Sequence, residues 1–125
     1  MIYTSYYSNY KNFKGFLKIG ISRTVPPNSC DLILRFLAPN SSILFSYKQG
    51  KIGEEEYSRR YLSSLNDVKD HGTLAILVNY LKNNHRDIVL LCYESPEKFC
   101  HRHILADFLN KKYNLNIQEL QKKSL

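Results

Sequence analysis

The opening Ile2-Tyr3-Thr4-Ser5-Tyr6-Tyr7 is short, alternating and rich in aromatic residues, and it predicts a first strand. Leu17-Lys18-Ile19-Gly20-Ile21-Ser22 alternates apolar with polar or small positions and predicts a second, with Asn9 to Gly15 as the connection. The chain then leaves the sheet at Arg23 to Ser29, because Pro26 and Pro27 remove backbone donors and fix φ. Leu32 to Leu37 is apolar and fits either helix or strand. Pro39-Asn40-Ser41 reads as a stop followed by a helix start, with Gly50 closing that helix. A second helix is expected from Gly53 to Leu65: Glu54, Glu55 and Glu56 suit the positive end of a helix dipole, and Tyr57, Tyr61 and Leu65 share one face. A third is expected from Thr73 to Asn84, with Leu74, Leu77, Val78 and Leu81 as its core stripe. Asp87 to Tyr93 is a continuous apolar run, the mark of a strand covered on both faces. A helix follows from Cys100 to Tyr113, turning Ile104, Leu105, Phe108 and Leu109 inward. Asn116 to Leu120 reads as a short edge strand, and residues 121–125 as a fraying tail.

Strands alternating with helices define an α/β class: one Rossmann-like domain over residues 1–125, with a mostly parallel sheet of about four strands and helices on both faces. Composition agrees, since 125 residues with 43% hydrophobic content supply a single core and too much apolar area for a disordered chain. Apolar runs stay short of the roughly 18 residues a bilayer span needs, and the N-terminus lacks the basic and apolar regions of a secretory signal. A cytoplasmic protein without a membrane partner is expected, its three cysteines reduced thiols. The net charge of +7 is uneven: residues 1–50 carry six bases against Asp31 alone, and residues 51–125 carry twelve against ten acids. Such an excess favours anionic partners such as nucleic acids and nucleotides, although scattered lysines also serve solubility.

Ligands of open α/β sheets sit at the carboxyl ends of the strands. That rule selects Tyr6 and Tyr7, then Ser22 and Arg23, then Cys92, Tyr93 and Glu94, with Cys100-His101-Arg102-His103 opening the next helix. The backbone N–H groups of a helix start favour an anion, and Arg102 adds a permanent planar charge. The same field favours the Cys100 thiolate. These groups read as an anion pocket, a nucleophile site or both, while Cys92 also suits simple packing at a buried strand end. Cys92, Cys100, His101 and His103 offer metal-binding atoms, yet their spacing is not that of a ribbon or finger, and neither a metal nor another cofactor is expected.

The segment from Leu90 through Cys92, Cys100, His101 and Arg102 to Ala106 resembles the C-terminal signature of a bacterial and phage family, domain of unknown function 488. Tyr3-Thr4-Ser5-Tyr6, Ile21-Ser22-Arg23 and Leu37-Ala38-Pro39 are similar to earlier segments of that family in the same order. So are the stretch from Tyr47 to Ile52 and the Glu56-Tyr57 and Arg60-Tyr61 pairs. The resemblance implies an α/β sandwich with a shared rim of Ser22, Arg23, Cys92, Glu94, Cys100, His101 and Arg102. It implies no reaction.

Two function classes follow. In the first, the chain acts on a phosphate-bearing small molecule or a nucleic-acid end. Arg102, Arg23 and Ser22 hold the anion, Cys100 is the nucleophile, and His101 or Glu94 moves protons. Tyr6, Cys92, Tyr47, Lys51, Tyr57, Arg60 and Tyr61 are its candidate substrate contacts. In the second, the same rim only binds, with nucleic acid or a protein as partner, including a host protein inhibited by a phage product.

Overall fold

The computed structural model describes residues 1–120, apart from the side chains of residues 68–71; the tail expected to fray lies outside the described residues. Five strands form one parallel sheet: β1 (Ile2–Tyr6), β2 (Leu17–Gly20), β3 (Leu32–Ile33), β4 (Ile88–Cys92) and β5 (Gln118–Glu119), in the order β3-β2-β4-β1-β5. The continuous apolar run becomes the centre. β4 pairs with β1 from Ile2↔Ile88 to Tyr6↔Cys92 and with β2 from Leu17↔Ile88 to Gly20↔Leu91, and all five of its residues are buried. The strand added to the expected four is β3, a two-residue pairing within Leu32 to Leu37. That ambiguous segment divides into β3 and a 3-10 turn at Arg35–Leu37.

Four helices connect the sheet: α1 (Ser41–Lys48), α2 (Glu54–Leu65), α3 (Val68–Lys82) and α4 (His101–Tyr113). The Asn40 side chain caps α1 by accepting from the Ile43 N–H at 2.9 Å. Gly50, at φ +72°, ends it as predicted, with the Gly50 and Lys51 N–H groups returning to the Tyr47 and Ser46 carbonyls. α3 starts five residues before the expected Thr73 and carries Gly72 inside it. Asn114 in the left-handed region stops α4.

The parallel α/β class stands, but the helical layers are unequal. Ile88 and Leu90 with Leu17, Ile19 and Ile21 face the main core, where Ile43, Tyr61, Val78 and Leu105 bring in all four α-helices. The alternate residues Val89 and Leu91 face a small cluster around Phe13, covered by a 3-10 turn (Tyr7–Asn12) and loops. The second face is thus covered by a 3-10 turn and loops where the first carries four α-helices. Only residues 7–16 join β1 to β2, fewer than the dozen or so that a helical crossover usually takes.

Direction and face are linked. Steps from β1 to β2 and from β2 to β3 run toward one sheet edge over the thin face; steps from β3 to β4 and from β4 to β5 run the other way over the helical face. Opposite directions on opposite faces preserve a single crossover hand. β4 therefore sends its chain to the helical face while its neighbours β1 and β2 send theirs to the other, and a crevice opens between them at the carboxyl ends. No helix among the described residues is long and apolar enough to cross a membrane.

Candidate functional site

The crevice holds a cavity of about 370 Å³ between the end of β2, the end of β4, the start of α4 and one side of α1. Ser22, Arg23, Tyr47, Tyr57, Cys92, Tyr93, Glu94, Cys100 and His101 line it, so the structure brings together nine of the residues selected from the sequence. Lys48, Leu44, Thr24 and Phe99 line it too. Leu44, Tyr47 and Lys48 are spaced three and four apart on α1, so one helical face delivers them together. That spacing was available in the sequence, which instead directed attention to Lys51.

Each wall has its own chemistry. Tyr47, Tyr57 and Phe99 form an aromatic cluster with ring centroids 4.9–5.4 Å apart. Burial pushes the Tyr57 phenol well above its ordinary range, helped by the neighbouring Tyr47 and Glu94. Arg23 and Lys48 are exposed at the mouth. Ser22 is buried, and its Oγ donates to the Thr24 carbonyl and accepts from the Tyr7 hydroxyl, each at 2.6 Å. Burial raises Tyr7 to about 12, so this hydroxyl stays protonated. Gly20 leaves room for the arrangement: a Cβ there would stand 3.1–3.2 Å from Cys30 Sγ, Val25 Cγ2 and the Tyr7 hydroxyl.

Cys92, Cys100 and His101 make the floor, all buried, with Cys92 Sγ, Cys100 Sγ and a ring nitrogen of His101 within 4.8 Å of one another. The expectation of three free thiols is corrected here: Cys92 and Cys100 are paired as a disulfide, and Cys30 alone is free. Cys92 ends β4 and Cys100 is the N-cap of α4, so the seven intervening residues loop back and bring the two together. Burial raises the Cys30 thiol. His101 lies edge-on to Tyr61, and its Nε2 meets the Ile21 carbonyl at 2.6 Å. A carbonyl only accepts, so Nε2 carries the proton and donates. Nδ1 faces Cys100 Sγ at 3.8 Å. Burial lowers His101 to about 4, the Ile21 bond opposing and the Arg102 and His103 charges assisting, so the ring is neutral.

Arg102 has a different place from the one expected. It is fully buried, with Nε and one terminal nitrogen donating to Glu119 at 3.1 and 2.8 Å, and the other donating to the Glu94 carbonyl and Cys92 Sγ at 2.5 and 3.0 Å. A guanidinium committed in this way does not serve as the anion-binding group of the cavity; it ties β4, α4 and β5 together. Tyr6 is buried with its ring 5.9 Å from that guanidinium, and Tyr61 is buried with its hydroxyl donating to the Leu37 carbonyl at 2.5 Å. Both are structural positions outside the cavity lining. Lys51 is exposed away from the lining, and Arg60 sits 3.8 Å from Glu56 on the outer face of α2. His103 turns toward Glu119 at 4.0 Å instead of joining the sulfur cluster, and burial lowers its pKa.

A larger cleft, about 650 Å³, lies on the thin face, lined by Tyr7, Tyr10, Phe13, Lys11, Lys14 and Lys18 among others. It is basic and aromatic and contains neither cysteine nor histidine. The cavity at the strand ends therefore has the stronger claim to chemistry.

An open parallel sheet with a cavity at the point where connections change face defines a Rossmann-like α/β protein. The family model described as the active DUF488-N3 subclade matches residues 2–113, and the chain belongs to that family. The Cys-x7-Cys-His signature of the resemblance falls on the cavity floor at Cys92, Cys100 and His101. Neither the curated proteins nor the solved structures provide a match.

Proposed function

We propose that the strand-end cavity binds and transforms a phosphate-bearing aromatic substrate, a nucleotide, nucleoside derivative or nucleic-acid end. The observation that carries this reading is the opposition of two kinds of wall: the Tyr47, Tyr57 and Phe99 rings on one side, and the Arg23 and Lys48 cations at the mouth. A base stacks on aromatic faces at about 1–3 kcal/mol per base, and a phosphate seeks exposed cations, so one molecule satisfies both. Arg23 keeps the anion-holding role it was given from the sequence, and Lys48 takes the share given there to Arg102. The reacting end lies over Cys92, Cys100 and His101, with the Glu94 carboxylate available for proton transfer and Ser22 shaping the wall. In a protein whose Cys92–Cys100 bond is reduced, Cys100 is the nucleophile of this scheme: its thiol proton passes to the Glu94 carboxylate, its sulfur bonds the substrate phosphorus as the phosphorus–oxygen bond to the leaving group breaks, and Glu94 returns the proton to that oxygen.

Calorimetric titration of the purified protein with nucleoside monophosphates, the matching nucleosides and inorganic phosphate tests this. Saturable binding of the nucleotide, weakened at least tenfold in R23A and K48A and in the nucleoside, is expected. Equal binding by the double variant, or none by the wild type, overturns it. A second reading, a module that holds a nucleic-acid strand without transforming it, is favoured by the cleft with Lys11, Lys14 and Lys18 beside Tyr10. It requires affinity that falls steeply with salt and is lost on K11E/K14E rather than on R23A.

A further inference from the structure

We infer that Cys92 Sγ, Cys100 Sγ and His101 Nδ1 form a three-donor site for a thiophilic divalent transition metal, zinc foremost, with its fourth position open to the cavity. Two sulfurs and an imidazole nitrogen match the softness zinc prefers, and two cysteines with one histidine constitute a known catalytic zinc set. The Cys100–His101 distance already agrees, and the two sulfurs reach the same spacing once the bond between them is reduced. Bonds of about 2.3 Å to sulfur and 2.0–2.1 Å to nitrogen in a tetrahedron put donors roughly 3.5–3.8 Å apart. Cys100 Sγ and His101 Nδ1 stand at 3.8 Å, and the three donors lie within 4.8 Å. The Cα atoms of Cys92 and Cys100 are 7.7 Å apart, wider than the roughly 4.4–6.8 Å that disulfides usually span. Two thiolates sharing an ion suit this spacing without backbone movement.

The surroundings are those of a metal ligand set. The Ile21 carbonyl accepts from Nε2–H, which fixes the ring and leaves the Nδ1 lone pair toward the sulfurs, the usual outer contact of a ligating histidine. Arg102 donates to Cys92 Sγ, a hydrogen bond that favours the thiolate. Charge also balances: two thiolates and a divalent cation sum to zero, as do Arg102 and Glu119. Without the ion, two buried thiolates leave a charge that only a disulfide or protonation removes. Because the three donors line the cavity, the remaining coordination position faces its contents, the arrangement of a catalytic rather than a structural zinc. There the ion is able to hold a water or a substrate oxygen; this role rests on the substrate reading above, whereas the metal site does not.

The test is titration of the reduced, chelator-stripped full chain with cobalt(II), followed by displacement with zinc. One ion per chain is expected, with a thiolate-to-cobalt charge-transfer band and the intense visible bands of a tetrahedral centre, both lost on adding zinc. C92S and C100S abolish the charge-transfer signal or shift it to that of a single thiolate, H101A weakens binding, and C30S leaves it intact. Should the ligand variants fail to fold, the wild type carries the test: zinc raises its melting temperature and chelation reverses the rise. Absence of stoichiometric cobalt uptake by folded, reduced wild type overturns the proposal, as does an unchanged cobalt spectrum in C92S/C100S. Nucleotide binding with no metal uptake discards this site and keeps the substrate reading; metal uptake with no nucleotide binding does the reverse.

Discussion

Replacing Glu119 by Gln removes the counter-charge and turns one of its two acceptor oxygens into an NH2 donor, so it tests what the buried Arg102 requires. Glu119 accepts from two guanidinium nitrogens at 2.8 and 3.1 Å and from the Thr4 hydroxyl at 2.6 Å, while Arg102 has no solvent exposure. The substitution leaves a cation out of water with an amide in place of its counter-ion. Breaking one side of a buried pair costs about 3–5 kcal/mol. The lower end applies here, because the Glu94 carbonyl and Cys92 Sγ still receive the other terminal nitrogen. At about 3–5 °C per kcal/mol for a chain of this size, the melting temperature should fall by roughly 10–15 °C. Thermal and urea unfolding followed by circular dichroism, with reductant and chelator present, measures it. The double variant R102M/E119L completes a cycle and should lose less than the sum of R102M and E119L, by about 2 kcal/mol or more. A loss below about 1 kcal/mol in E119Q, or strict additivity in the cycle, refutes the view that this pair is a closed, mutually dependent unit.

Two further outcomes follow from the packing and the titration directions. G20A should destabilise by about 1–3 kcal/mol, since the added methyl stands 3.1–3.2 Å from Cys30 Sγ, Val25 and the Tyr7 hydroxyl; urea unfolding measures the change, and a neutral result would show that this corner relaxes freely. In a spectrophotometric phenol titration Tyr7, Tyr57 and Tyr61 should ionise late, because burial raises all three, Tyr7 to about 12. The unfolded chain releases these protons near pH 10 and the folded chain later, so their contribution is complete below pH 10 and is lost as pH rises through about 12 for Tyr7. Stability unchanged between pH 9 and 11.5 would contradict that burial.

The elements written in periodic hydrophobicity were legible. Ile88 to Cys92 declared a strand covered on both faces and is the sheet centre, and Tyr57, Tyr61 and Leu65 declared the buried face of α2. Less legible was anything decided by long-range pairing. β3 is two residues held by Ile19 and Gly20, and no local pattern separates it from the 3-10 turn after it. Gly72-Thr73 resembles a helix start, yet α3 runs through it. At the site, strand-end logic gathered Ser22, Arg23, Cys92, Glu94, Cys100 and His101 correctly in space. It misjudged the direction of Arg102 because the partner that turns it inward, Glu119, sits in a two-residue edge strand seventeen positions later. Helix spacing would have chosen Lys48 over Lys51, since Lys48 follows Leu44 and Tyr47 on one face.

The central strand is also the one synthesised late. β1 has its sheet neighbours in β4 and β5, and the Ile2↔Ile88 register joins residues 86 positions apart. As the chain leaves the ribosome, β1 and β2 wait without a strand between them until residues 88–92 emerge. The helices α1, α2 and α3 are made before the surface they cover exists. Assembly of the sheet thus waits on β4, governed by the entropy of closing a long loop, and the nascent chain must carry its apolar strands unpaired until then.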